Sequence, residues 1–187
     1  GGTSYTEHYS HGFQVIRQSS SDPRMNIYAK VGHKYVSATG DQYNRFEVGD
    51  RICALLTFDY NDGGTHVLKL YINGQYQNQS TATSFNPGSS PASNIAGNDF
   101  NVAGVTNIPY KIYQIAWWGV ALDADIAFAI WNAGEPMDPS DDACSYDESD
   151  NLTALHLMNE GSGTTLADSV GSKNITLAGT ASWEDDS

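Results

Sequence analysis

The 187 residues are enough for one well-cored domain and few for two. Nine Lys and Arg against 22 Asp and Glu leave a formal charge of -13, so neither nucleic acid nor an anionic membrane is an expected partner. With 40% hydrophobic residues the chain is too apolar for disorder, and no apolar run approaches the roughly 20 residues of a membrane span.

Strand signals dominate, punctuated by turns. Residues 12–18 and 25–31 are β-branched and aromatic, separated by the polar run Ser19 to Pro23, and residues 35–37 form a third short strand before Thr39-Gly40-Asp41. A hairpin follows. The apolar run 51–60 meets the turn Asn61-Asp62-Gly63-Gly64 and returns over 66–73 through Val67, Leu68, Leu70 and Ile72. Asn73-Gly74 makes a second turn into residues 75–77, since both pairs supply positive φ at little steric cost. Residues 86–98 are rich in Gly, Ser, Pro and Asn and read as a long loop, and residues 100–105 and 110–118 as two more strands.

Asp123 is a good N-cap, Asp125 suits the positive end of a helix dipole, and Ile126 with Ile130 share a face. A helix is therefore expected near 123–132, stopped by Gly134. The acidic span 138–150 reads as a solvated connector, and residues 152–158 and 175–177 as late strands around Gly161-Ser162-Gly163. Cys53 and Cys144 allow one disulfide or two free thiols. Many short strands with one short helix predict an all-β fold, a two-sheet antiparallel β-sandwich or jelly roll spanning 1–187 as a single domain.

Two stretches carry a family likeness. "FEVGDRICALLTFDYNDGGTHVLKLYINGQY" (46–76) and "IYQIAWWGVALDADIAFAIWNAG" (112–134) resemble the laminin G-like branch of the concanavalin A-like jelly rolls. The trailing strands, "NLTALHLMNEGSGTTLADSVGSKNITLAGTASW" (151–183), resemble a segment that comes earlier in many members. A permuted order still closes the same two sheets when chain ends lie close together. Virion proteins of tailed phages often look like this. The resemblance implies an extracellular or virion-surface module, such as a capsid decoration or fibre protein, set in a homo-oligomer or lattice. Its partners would be capsid or fibre subunits, with a cell-surface glycan as a further ligand. A secreted carbohydrate-binding module, free or fused to a polysaccharide-degrading enzyme, is the rival reading.

Catalysis is not expected. The Glu-x-Asp-x-x-Glu strand of related glycoside hydrolases is absent, and Glu135, Asp138 and Glu160 have other spacings. Residues 69–77 echo a strand of alginate lyases without its companion motifs. Sugar binding needs exposed aromatic platforms beside hydrogen-bonding side chains. Trp117 and Trp118 are adjacent, so strand alternation sends one outward. Trp118, Tyr76, Tyr60 and Tyr43 are the candidate glycan contacts, each with core packing as the plainer alternative. Calcium is the cofactor that the family would bring, held by oxygen-rich loops. The candidate ligand sets are Asp59, Asn61 and Asp62, otherwise a hairpin turn, and Asp138, Asp141 and Asp142, otherwise a solvated linker. His8 and His11 could hold a metal only with a third ligand that the sequence does not offer.

Overall fold

The computed structural model describes residues 49–59, 64–83, 111–177 and 182–184 in full, and residues 12–17, 25–31 and 34–38 as backbone. Among them the secondary structure is antiparallel β with one short α-helix. The expected strands at 100–105, the loop 86–98, the turn residues 61–63 and the pair His8 and His11 lie outside the described residues.

The first sheet is a meander, β1 (Gly12–Arg17), β2 (Met25–Val31) and β3 (Lys34–Ala38), each antiparallel to the next. The second is β4 (Ala54–Asp59), β5 (His66–Ile72) and β6 (Gln75–Ala82) in that order, with β3 lying close to β5 and β6. β5 is the central strand, and its Leu68, Leu70, Tyr71 and Ile72 are buried. Leu68, Leu70 and Ile72 follow the period of two that turns one strand face to the core. Asn73 and Gly74 join β5 to β6 with φ of 51° and 72°, the paired left-handed geometry of a two-residue hairpin. Asn73 also holds the start of β4, because its Oδ1 accepts from the Cys53 N–H at 2.9 Å and its own N–H donates to the Cys53 carbonyl.

β7 (Ile115–Trp118) pairs with β8 (Leu152–His156), and β9 (Thr165–Leu166) with β10 (Ile175–Thr176). The strand expected over 110–118 begins only at Ile115, where His156 is the last partner that β8 offers. Between β7 and β8 stands α1 (Ala124–Trp131). Asp123 caps it as expected, its Oδ1 accepting from the N–H groups of Asp125 and Ile126, both at 3.0 Å. The stop differs from the expectation. Asn132, with φ 43°, ends the α-helix two residues before Gly134, since Asn tolerates the left-handed region.

The acidic span 138–150 is more than a solvated connector. Its carboxylates face solvent, but Pro139 and Tyr146 are fully buried. The Tyr146 ring joins Leu122 and Ile126 in a hydrophobic cluster against which Leu55, Trp118, Ile130 and Met137 pack. A bridge between Ala143 and Tyr146 folds the span back on itself. Two free thiols, not a disulfide, are present, with Cys53 half-buried and Cys144 exposed. No helix among the described residues is long and apolar enough to cross a membrane.

Candidate functional site

Trp118 is held from two sides. Its indole N–H donates to the Tyr146 hydroxyl at 2.9 Å, which in turn donates to the Pro139 carbonyl at 2.9 Å. Burial raises the Tyr146 pKa, and the carboxylates of Asp142, Glu148 and Asp138 add to that against the lowering effect of the Trp118 hydrogen bond. Strict in-out alternation of Trp117 and Trp118 does not hold. A β-bulge at this step puts Trp117 opposite Ala154 and Trp118 opposite Leu152, leaving Thr153 as the extra residue. The Thr153 hydroxyl donates to the Trp117 carbonyl, and both indoles end half-buried. Trp117 meets the buried His156 edge-on, with ring centroids 5.5 Å apart.

Tyr76 lies in a different cluster. It stands opposite Tyr71 across the β5–β6 pair, ring centroids 5.9 Å apart and nearly perpendicular. Tyr71 is buried while Tyr76 is 50% exposed. Burial raises the Tyr71 pKa, and the charges of Asp123 and Tyr76 raise it further. The adjoining turn is pressed against α1, since a Cβ on Gly74 would come within 2.9 Å of the Phe128 Cα and 3.1 Å of the Trp131 Cβ. Phe128 is 58% exposed, and Asp125, one helical turn before it, is also exposed. Tyr76 and Phe128 are thus exposed aromatic residues on two elements that meet at the Gly74 turn, with Asp125 one helical turn from Phe128 and Asp123 at the helix cap.

Tyr60 and Tyr43 lie outside the described residues, as do Asn61 and Asp62, while Asp59 is exposed at the end of β4. Asp138 acts as a turn-maker, its Oδ1 accepting from the Ser140 N–H and hydroxyl, and the Asp142 Oδ1 accepts from the Ser149 N–H. These contacts give both carboxylates roles within the chain. No group of three or more His, Cys, Asp or Glu among the described residues is placed to hold a metal ion. Burial pushes the Cys53 thiol up to about 11, away from the thiolate form that nucleophilic or metal chemistry needs.

Two residues outside the expected set stand out, one for its hydrogen bonds and one for its exposure. Asp168 accepts at Oδ1 from the N–H groups of Leu155, Val170 and Gly171, and at Oδ2 from that of Lys173. Burial alone would raise its pKa, but the backbone donors outweigh it and lower it from 3.8 to about 2. The other is Phe128, whose position opposite Ile126 and Ile130 on the helical wheel was a readable sign of exposure.

No protein-family model matches the chain, and neither curated proteins nor solved structures give a significant match.

Proposed function

We propose that the chain is a non-catalytic, outward-facing surface module that docks on other proteins, on a concanavalin A-like jelly-roll sandwich of the laminin G-like kind. The setting that fits is a virion surface, as a capsid decoration or fibre component in an oligomer or lattice. The observation that carries this reading is the exposure of Tyr76 on β6 and Phe128 on α1, large aromatic rings that face solvent on neighbouring elements, with Asp123 and Asp125 exposed at the start of α1. Apolar rings left in solvent beside charge are what interaction surfaces are made of. The antiparallel sheets and the sequence likeness of residues 46–76, 112–134 and 151–183 support the sandwich.

Glycan binding is the second reading, favoured by Tyr76 with Gln77 and Asn78 next to it on β6. A glycan array run with calcium and again with a chelator separates the two. A blank array, together with antibody labelling of the chain on assembled particles, is the outcome expected. Saturable sugar binding lost on Tyr76→Ala would replace the docking reading with a lectin. Tyr76 is the residue to vary, because Trp118→Ala would also remove the Tyr146 contact and loosen the core.

A further inference from the structure

From residue 112 to residue 172 the sequence holds no Lys or Arg, while nine Asp and Glu fall between 123 and 150. All of their side chains are exposed or half-buried, and among the described residues none is paired with a cation. Such a field draws cations and repels anions over a Debye length, roughly 10 Å at 0.1 M salt. Among the described residues, the aromatic rings that stand half or more in solvent are Tyr76, at 50%, and Phe128, at 58%. Asp123 caps the N-terminus of the helix that carries Phe128, and Asp125 lies in its first turn.

We infer that the α1–β6 face docks a cationic protein surface, with Lys or Arg side chains of the partner seated against Tyr76 and Phe128 and paired with Asp123 and Asp125. This rests on the docking reading and names its face and partner chemistry. Aromatic rings with adjacent carboxylates suit guanidinium and ammonium groups, which take a ring face and an oxygen together. A point cation suits the face less well, since the carboxylates are spread out and gather no group of three with His or Cys among the described residues. The charge is distributed, as a distributed positive surface requires.

The test uses the 187-residue chain with fluorescent nona-arginine and nona-lysine peptides, followed by anisotropy at low and high salt. Binding is expected for both peptides, tighter for arginine, and weaker at high salt. Phe128→Ala should weaken it about 3-fold and Phe128→Ala with Tyr76→Ala about 10-fold, in line with exposed cation–π contacts. Asp125→Asn should weaken it about 3-fold, the scale of one exposed ion pair. Asp59→Asn, at the far end of the β4–β5 pair from the Asn73–Gly74 turn, should leave it unchanged. Absence of binding overturns the proposal. So does wild-type affinity in the aromatic double variant, or an equal loss from Asp59→Asn, because net charge alone would then explain the attraction. Should Tyr76→Ala disturb the Tyr71 contact, Asp125→Arg supplies a reversal of charge that leaves the core untouched and should abolish binding. Assembled particles that take up wild type and the double variant equally would overturn this face and leave the docking reading standing.

Discussion

Asp168 is 9% exposed, and four main-chain N–H groups point at its two carboxylate oxygens. They come from β8 and from the loop that leads to β10, so one side chain fixes two separated stretches. Gly171 is part of the arrangement, because a Cβ there would come within 2.8 Å of Oδ2. The folded pKa, about 2, lies below the ordinary 3.8. The carboxylate therefore contributes its full stability above pH 4 and loses it as the pH falls from there toward 2. Urea unfolding of the wild type should show stability dropping across that window. Asp168→Asn should cost about 3 kcal/mol at neutral pH, taking about 1 to 3 kcal/mol for each buried donor left short, and should flatten the acid limb. Parallel pH profiles for wild type and variant would remove Asp168 as the cause.

At the scale of elements, the β5–β6 turn packs closely against α1. Gly74 has φ 72°, and a Cβ added there would meet the Phe128 Cα at 2.9 Å. Gly74→Ala combines left-handed strain of about 1 to 2 kcal/mol with overpacking of about 1 to 3, so a loss of about 2 to 5 kcal/mol in chemical denaturation is expected. A loss below about 1 kcal/mol would mean that helix and turn separate easily, against the close packing seen. This turn was legible in the sequence because Asn-Gly carries its own backbone preference, and the helix start was legible because Asp123 caps it locally. What was hidden depends on partners distant in sequence. The two-residue strand β9 has no periodicity to read and exists through its pairing with β10. The bulge that half-buries Trp117 and Trp118 comes from the register of β7 against β8. The acidic span looked like a linker because its one large apolar anchor, Tyr146, is a residue equally at home in solvent, and only the cluster with Leu122 and Ile126 shows where it goes. The exposed face of α1 lay between these cases, readable from the helical wheel but given meaning only by Tyr76 arriving from β6.

For the whole molecule, a charge of -13 acts on stability and on recognition in opposite directions. Between residues 123 and 150 the carboxylates repel one another, with no Lys or Arg in that span to offset them. The folded state holds them closer together than an unfolded chain does, so repulsion there weighs against folding. Salt shortens the reach of that repulsion, from about 30 Å at 0.01 M to about 3 Å at 1 M. Melting followed in sodium chloride should therefore move upward with concentration, by about 2 to 4 °C for each kcal/mol of repulsion relieved. A downward shift would show that attractive pairs such as Lys111 with Glu184, at 2.9 Å, outweigh the acidic field. Docking of a cationic partner has the opposite dependence, because the same screening removes the attraction that brings it to the α1–β6 face. Conditions that make the isolated chain most stable are thus those in which it binds least. A partner that neutralises the acidic span should itself raise the melting temperature at low salt, and that gain should fade as salt takes over the screening.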